Sequence, residues 1–213
     1  MIESRSFPAK PLEENREHFR AILLFGPPGS GKGTLGKFLS SAGNHYHLSS
    51  GDIFRGLSPD SPMGKLYYTY ASKGHLVPDE ITIEIWRSYV GGLIATNRYF
   101  PKKQFLLLDG IPRTPKQADM LDAYVEVSHV ILLDVETPEV LIKRIQGRAK
   151  LEKRQDDADQ EVLRTRMQVY QRETFKLLER YPSQLVSRFN ADQRPLEVLR
   201  DVLQELSHLL SAF

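Results

Sequence analysis

Residues 22–34 read ILLFGPPGSGKGT, an apolar run followed by two prolines and a glycine-rich loop. The apolar run predicts a short buried strand, and the prolines exclude a helix directly after it and withhold two backbone donors. Residues 35–39 are predicted to start a helix after the loop. A strand, a glycine loop and a helix N-terminus in this order form a cradle of backbone N–H groups for an anion.

The loop has the spacing of the Walker A phosphate-binding motif. Its first glycine is Gly26, and Gly31 and Lys32 follow at the expected distance. Gly33 stands where the motif has a hydroxyl residue, and the hydroxyl comes one place later, at Thr34. The stretch therefore predicts that the chain binds a nucleoside triphosphate. The glycines expected to let the loop curl are Gly29, Gly31 and Gly33.

Composition limits the class of protein. The chain has 213 residues, 40% hydrophobic and 26% charged, which favours one globular domain with small inserted lobes. The net charge of +2 is too small to indicate a nucleic-acid partner, and no apolar stretch approaches the roughly 20 residues of a membrane helix. The absence of cysteine excludes disulfides, zinc–thiolate sites and a cysteine nucleophile, and fits a cytoplasmic enzyme. Residues 1–20 are predicted to be a charged N-terminal leader without a secretory signal.

Strand and helix signals alternate along the chain. Strands are predicted at 21–25, 46–48, 104–108, 129–134 and 187–190. Helices are predicted at 32–42, 49–55, 63–73, 78–96, 115–124, 137–147, 156–180 and 195–210. This alternation predicts an α/β fold of the P-loop type, with a five-stranded parallel sheet and helices on both faces.

Three of these helices depend on particular residues. In the segment 78–96, Ile81, Ile83 and Ile85 alternate as in a strand, but a proline and two acidic residues suit a first helical turn, and the length favours a helix. The helix at 137–147 is expected to end at Gly147. The C-terminal helix is expected to use as its apolar face Leu196, Leu199, Leu203, Leu206 and Leu210.

A chemically important group follows the strand at 104–108, since ligands of such folds lie at the carboxyl ends of the strands. Asp109 occupies the position of a Walker B acid, where it would hold magnesium directly or through water. Gly110 lets a ligand approach the backbone, and Arg113 offers a planar fork that suits a phosphate. We therefore expect an anion site here, beside the phosphate loop.

The end of the strand at 46–48 suggests a second anion pocket. Residues 49–52 read SSGD, which is typical of a helix start, and Arg55 follows one turn later. Taken alone, these residues are better explained by a capped surface helix. Taken with Arg113, they indicate a second phosphate-bearing ligand near the first.

Arginines are concentrated in the C-terminal half of the chain. Arg144 and Arg148 are four residues apart and share a helix face. Gathered arginines can neutralise a phosphoryl group while it moves between two nucleotides. Asp156 and Asp157 are predicted to cap the following helix, to bind an arginine, or to do both. The arginines of this stretch are Arg144, Arg148, Arg154, Arg164, Arg166 and Arg172.

These motifs, in this order, resemble the adenylate kinase family over about residues 21–205. The similar segments are GPPGSGKGT at 26–34, LSSGDIFR at 48–55, GHLVPDE at 74–80, LDGIPRT at 108–114 with Gln117, RIQGR at 144–148 and RQDD at 154–157. The resemblance implies reversible transfer of a phosphoryl group from ATP to AMP, giving two ADP, with Mg²⁺ bound to ATP. It also implies a kinase domain at 21–213, with a monophosphate-binding helical lobe at about 49–78 and a short lid at about 148–154. A monomer without nucleic-acid or membrane partners is expected.

The resemblance also implies roles for individual residues. The ATP site would contain Gly29, Ser30, Gly31, Lys32, Gly33, Thr34, Arg144, Arg148 and Arg194. In that site Arg144 would lie over the base and Arg194 would offer backbone groups to it. The AMP site would contain Ser50, Arg55, Leu76, Val77, Gly110, Arg113, Gln117, Arg154 and Arg166, with Gln117 reading the adenine edge. The catalytic residues would be Lys32, Asp109, Arg113, Arg148, Arg154 and Arg166. No side chain would bind the metal directly, and Asp109 would hold it through water.

The chain departs from the family pattern at several positions. Ser50 replaces the usual threonine, Ile111 stands where phenylalanine is usual, and His75 stands where lysine is common. Only residues 149–153 separate the two lid arginines, which leaves no room for a zinc knuckle. These departures affect the acceptor pocket and the lid more than the phosphate loop.

Two alternatives stay open at this point. A UMP/CMP kinase would use the same chemistry with a pyrimidine acceptor, but in that family an asparagine commonly follows the arginine, whereas this chain has TPKQ at 114–117. The second alternative is a P-loop protein that binds nucleotide as a non-catalytic module. The charged groups present in both predicted pockets argue against it.

Overall fold

A parallel sheet forms the centre of the protein. A computed structural model describes residues 18–152, 157 and 159–211. Its strands are β1 (Phe19–Phe25), β2 (Tyr46–Ser49), β3 (Leu106–Asp109), β4 (Val125–Asp134) and β5 (Val186–Asn190). They lie in the order β2-β3-β1-β4-β5, and every neighbouring pair is parallel. The predicted five-stranded parallel sheet is confirmed.

The strand registers bring three carboxyl ends together. Leu24 of β1 and Ser49 of β2 both pair with Asp109, the last residue of β3. The segments that follow these strands therefore begin at one edge of the sheet. They carry the phosphate-loop glycines, Ser50 and Arg113.

Helices alternate with the strands as predicted. They are α1 (Lys32–Gly43), α2 (Ser50–Arg55), α3 (Pro62–Ala71), α4 (Asp79–Ala95), α5 (Pro115–Leu121), α6 (Pro138–Glu152), α7 (Gln160–Val169) and α8 (Pro195–Leu210). A π-helical turn at Tyr170–Thr174 and 3-10 turns at Phe175–Arg180 and Ser183–Leu185 connect α7 to β5. Within the described ranges, no helix has both the length and the apolar character that crossing a membrane requires.

Two apolar layers hold helices on both faces of the sheet. On one face Ile22 and Leu24 pack with side chains of α1 and α8. On the other face Ala21 and Leu23 pack with side chains of α4, α5 and the 3-10 turn after α7. Because the central strands β1 and β3 are covered on both sides, their sequences are largely apolar. A smaller apolar cluster of Phe54, Tyr67 and Val77 holds the helical lobe together.

The ambiguous segment 78–96 is a helix, as predicted. α4 runs from Asp79 to Ala95, with Pro78 as its N-cap residue rather than its first helical residue. Trp86 of α4 is 1% exposed, so the helix is anchored in the core by its largest side chain.

The sixth helix is longer than predicted. α6 does not end at Gly147 but continues to Glu152, so most of the predicted lid is helical. Gly147 has no positive φ, and a Cβ at this position would meet no atom within 4 Å. A glycine ends a helix only where the chain turns into the left-handed region, and an exposed helix otherwise tolerates it at a cost of about 1 kcal/mol. The rest of the lid, 153–154, lies outside the described residues.

The long helix predicted at 156–180 is not one α-helix. α7 begins at Gln160, because the side chain of Asp159 caps it by accepting from the N–H groups of Glu161 and Val162. It then changes to a π-helical turn and a 3-10 turn before Tyr181. Hydrophobic periodicity does not distinguish these helix types, since each keeps a buried stripe.

The two ends of the described chain also differ from prediction. β1 begins at Phe19, so the last two residues of the predicted leader belong to the sheet, while 1–17 lie outside the described residues. α8 has the predicted bounds, but Leu196 is 69% exposed and Leu203 is 36% exposed. The side chains that face the sheet are four residues apart and include two valines: Val198, Val202, Leu206 and Leu210.

Candidate active site

The loop between β1 and α1 has the backbone shape that its glycines predict, with one exception. Gly26, Gly29 and Gly31 have φ values of 147°, 85° and 98°, which residues with a Cβ rarely adopt. Gly33 does not contribute to the curl, because α1 already begins one residue before it and its φ is not positive. A Cβ at position 33 would lie in ordinary contact with Oδ2 of Asp109, at 3.5 Å, so the first turn of α1 lies beside that carboxylate.

The ammonium group of Lys32 is folded onto its own loop. Nζ donates hydrogen bonds to the carbonyl oxygens of Gly26 at 2.7 Å and Pro27 at 2.9 Å, and it lies 3.4 Å from Oγ of Ser30. The pKa of Lys32 is lowered to about 8, chiefly by burial; Asp109 opposes this shift, and nearby arginines add to it. A lysine held in this positive surrounding is suited to a polyphosphate ligand.

Asp109 is a buried carboxylate at the end of β3. Its Oδ2 lies 3.6 Å from Nε2 of His47 on β2. Burial acts to raise the pKa of Asp109, but the His47 contact and the charges of Lys32 and Arg113 outweigh burial and hold this pKa below its ordinary value. The group is therefore ionised at neutral pH and lies beside the phosphate loop.

Two predicted anion-binding side chains meet at Gly110. Its carbonyl oxygen accepts a hydrogen bond from Oγ of Ser50 and another from Nε of Arg113, both at 2.7 Å. Its φ is 76°, and a Cβ would lie 2.8 Å from Oγ of Ser50 and 2.8 Å from Nη2 of Arg113. Position 110 therefore requires glycine for its conformation and for this close approach. Ser50 and Arg113, predicted from separate motifs, lie side by side.

Gln117 lies in the wall of the same pocket and is 2% exposed. Its Oε1 accepts the backbone N–H of Arg113 at 2.8 Å, and its Nε2 donates to Oδ1 of Asp79 at 2.9 Å. The hydroxyl of Thr114 donates to the same Oδ1 at 3.0 Å. An amide has two N–H groups and two lone pairs, so these contacts orient Gln117 without exhausting its hydrogen-bonding capacity.

Asp157 gathers two of the predicted arginines. Its carboxylate, in a residue that is 3% exposed, accepts hydrogen bonds from Arg148 at 2.7 and 2.9 Å and from Arg166 at 2.6 Å. Burial acts to raise the pKa of Asp157, but these bonds and charges lower it below its ordinary value. Of the two roles predicted for the acidic pair, Asp157 has the arginine-binding one, whereas the cap of α7 comes from Asp159.

Arg144 holds the loop that precedes α8. Its guanidinium donates to the carbonyl oxygens of Ala191 at 2.5 Å and Gln193 at 2.9 Å. Arg194 is the N-cap residue of α8 and lies between Gln193 and Pro195, which line the larger cleft. Arg144, which was predicted as part of the ATP site, thus fixes the loop before α8.

These groups line two adjoining clefts at the carboxyl edge of the sheet, of about 480 and 80 Å³. Predicted residues that line the larger cleft are Gly29, Ser30, Gly31, Lys32, Gly33, Thr34, Arg55, Leu76, Asp109, Gly110, Arg113, Arg144, Arg148 and Arg166. Those that line the smaller cleft alone are Ser50, Val77 and Gln117. Of the predicted arginines that the structure describes, three line neither cleft: Arg164 and Arg172, which pair with glutamates on the surface, and Arg194. Arg154 lies outside the described residues.

Several residues of the smaller cleft were not predicted. Phe54 and Tyr67 stack in its wall, with ring centroids 5.3 Å apart and planes 11° apart. The hydroxyl of Thr82 donates to the carbonyl of Val77 at 3.3 Å. The orienting carboxylate of Asp79 was interpreted only as part of a helix start. The sequence indicates only that Tyr67 lies on the apolar face of α3. This periodicity does not distinguish a residue of the core from one in a cleft wall.

Comparisons with known proteins identify the family of the chain. The sequence matches the family model described as adenylate kinase over residues 24–186. A protein named adenylate kinase from Flavobacterium psychrophilum is 37% identical over 196 residues, which cover 89% of this chain and 97% of that protein. Another from Clostridium tetani is 35% identical over 198 residues, covering 78% and 88% of the two chains. The matched range includes the phosphate loop, the arginines that line the two clefts and the residues of the predicted lid. The chain belongs to the adenylate kinase family.

Proposed function

We propose that this protein transfers the terminal phosphoryl group of ATP reversibly to AMP, giving two ADP. The observation that carries the proposal is the junction between the two clefts, since Arg55, Arg113 and Arg166 line both of them. Two anion sites that share arginines hold a donor and an acceptor phosphate next to each other, with the charge between them neutralised. The name of the two relatives, adenylate kinase, supports ATP and AMP as the two ligands.

The donor occupies the larger cleft. Its phosphates lie against the backbone N–H groups of residues 29–34 at the N-terminus of α1. Nζ of Lys32 moves from the carbonyl groups of its own loop to the phosphate oxygens. The base lies between Arg144 and the backbone of Arg194, at the loop that Arg144 fixes.

The acceptor occupies the smaller cleft. Ser50, Arg55 and Arg113 hold its phosphate, and residues 76–77 line the pocket for its base. Gln117 meets the edge of the adenine, in an orientation supported by its hydrogen bond to Asp79. Because Oε1 of Gln117 also accepts from the backbone of Arg113, recognition of the base is linked to the position of the phosphate-binding arginine.

In the transfer step, an oxygen of the acceptor phosphate attacks the γ-phosphorus of ATP. The bond between that phosphorus and the β–γ bridging oxygen breaks, and its electron pair stays on the ADP that leaves. Arg148 and Arg166, both held by Asp157, surround the transferring group together with Lys32 and stabilise its equatorial oxygens. We assign the same role to Arg154.

The site is compatible with Mg²⁺ that is bound to ATP and has few protein ligands. Asp109 is ionised and buried beside the first turn of α1, and Thr34 lines the same cleft. In the described part of the chain, no three acidic or histidine side chains cluster as metal ligands. Mg²⁺ usually keeps several waters and takes one or two carboxylates plus phosphates, so Asp109 would hold it through water. When bound, the ion neutralises charge on the β- and γ-phosphates.

We expect AMP to be the preferred acceptor. A coupled assay with ATP and Mg²⁺ against AMP, CMP, UMP, GMP and dAMP gives kcat/KM for each monophosphate. The TPKQ sequence at 114–117 supports AMP, because Thr114 follows the arginine where pyrimidine nucleotide kinases commonly have an asparagine. A larger kcat/KM for CMP or UMP would reassign the chain as a pyrimidine nucleotide kinase. ATP binding without transfer to any monophosphate would favour a non-catalytic nucleotide-binding role.

We also expect ATP binding to take up a proton at alkaline pH. In the free protein Lys32 loses its charge as the pH rises through its pKa of about 8, and a bound polyphosphate raises that pKa again. Uptake should therefore be near zero at about pH 7 and approach one proton per ATP at about pH 9. Titration calorimetry in buffers of different ionisation enthalpy measures it. The same uptake in Lys32→Ala would assign the proton to another group.

A monomeric state and a cytoplasmic location stay predictions of the family resemblance. Size-exclusion chromatography with light scattering tests the first, at protein concentrations above those used in the assay. Fractionation of cells that produce the protein tests the second.

A further inference from the structure

The helical segment after α7 is irregular where it passes the larger cleft. α7 gives way at Tyr170 to a π-helical turn that ends at Thr174, with the N–H of Phe175 bonded to the carbonyl of Tyr170. Such turns insert one residue into a helix and are frequent at functional sites. Tyr170 and Thr174 are the buried residues of the turn, and both line the cleft.

The hydroxyl of Thr174 reaches the backbone of Arg113, which is distant in sequence. Its Oγ1 donates a hydrogen bond of 3.0 Å to the carbonyl oxygen of Arg113, and Thr174 is 8% exposed. Two further hydrogen bonds of Arg113 are local, one to Gln117 and one to Gly110. Thr174 therefore fixes Arg113 to an element outside its own loop.

The same helical segment carries Arg166. This arginine lies on α7, lines both clefts and binds Asp157 at 2.6 Å. Because α7 and the π-helical turn are continuous, Thr174 and Arg166 move as parts of one helical segment. The Thr174 hydroxyl thus connects the helical segment that carries Arg166 to Arg113, whose guanidinium lines the smaller cleft.

We propose that Thr174 is a positioning residue of the acceptor site, whose hydroxyl fixes the backbone of Arg113 relative to the helix that carries Arg166. Without this bond the peptide after Arg113 can rotate, and the two guanidinium groups no longer keep a fixed separation. The inference rests on the proposed function, in which Arg113 holds the acceptor phosphate and Arg166 the transferring group. Thr174 acts through Arg113 and contacts no reacting atom.

The test compares Thr174→Val, which removes the hydroxyl and keeps the side-chain shape, with Thr174→Ser, which keeps the hydroxyl. In the valine variant the KM for AMP should rise about fivefold, the factor typical for loss of one hydrogen bond, while the KM for ATP changes by less than about twofold. The serine variant should behave as the wild type. Thr69→Val is the matched control, because Oγ1 of Thr69 also donates to a backbone carbonyl, that of Lys65 at 2.9 Å, on the exposed surface of α3.

Two outcomes would overturn the inference. One is an unchanged KM for AMP in a folded Thr174→Val protein, including the case in which only its Tm falls. The other is a rise of the KM for AMP and of the KM for ATP by the same factor, in the serine variant as much as in the valine variant. If the valine variant does not fold, Thr174→Ala, which has no branched methyl, gives the same comparison. Failure of the proposed function looks different, since the wild type would then transfer to no monophosphate at all.

Discussion

Replacing Lys32 with alanine should lower kcat by about a hundredfold to a thousandfold. That is the range found when one positioned donor is removed from charge that develops in a transition state. Nζ of Lys32 bonds to carbonyl groups of the phosphate loop at 2.7 and 2.9 Å in the free protein, and it moves from them to the phosphate oxygens when ATP binds. The N–H cradle is unchanged in the variant, and ATP affinity should therefore fall less than kcat. Steady-state kinetics and calorimetric titration with ATP measure the two effects separately.

The matched control for this experiment is Lys103→Ala, which removes an exposed lysine that lines neither cleft. It should keep wild-type kinetics. Circular dichroism and Tm show whether the Lys32 variant is folded. A folded variant with kcat near that of the wild type would contradict the proposed role, and an unfolded one would show that Lys32 is needed for the structure of the loop.

The sequence predicted that many of these residues lie together, because several of them follow strand ends. Parallel strands bring their carboxyl ends to one edge, so the motifs at Lys32, Ser50 and Arg113 had to converge once the strands were identified. α4 shows how an ambiguous pattern is decided. Ile83 is buried while Ile81 and Ile85 are only half-buried, so the buried stripe of α4 includes Ile83 and Trp86 but neither Ile81 nor Ile85.

The contacts that orient the site were not predictable, because they join side chains across the fold. Asp157 could have capped a helix from its place in the sequence, and only its burial between Arg148 and Arg166 identifies its partners. The bond from Gln117 to Asp79 likewise depends on the packing of α4 beside α5. The end of α6 was mispredicted for a related reason, since no neighbouring atom at Gly147 forces the chain to leave the helix.

Replacing Arg113 with alanine should raise the KM for AMP about a hundredfold, while the KM for ATP changes by less than about threefold. Nε of Arg113 is anchored to the carbonyl of Gly110 at 2.7 Å, which leaves the two Nη groups to face the phosphate. Two charge-assisted hydrogen bonds at about 1.5 kcal/mol each correspond to a factor of roughly a hundred. Because Arg113 also lines the larger cleft, kcat should fall as well, by about tenfold.

Arg113→Lys separates charge from geometry, since a lysine keeps the positive charge but cannot form the planar fork. Its KM for AMP should lie between those of the wild type and the alanine variant. Arg200→Ala, on the exposed surface of α8 and paired with Asp201, is the control that should leave both KM values unchanged. A KM for AMP within about twofold of the wild type in Arg113→Ala would place the acceptor phosphate elsewhere.

Because Thr174 acts through Arg113, adding Thr174→Val to the Arg113→Ala variant should not raise the KM for AMP any further. An additive rise would show that the two residues act independently.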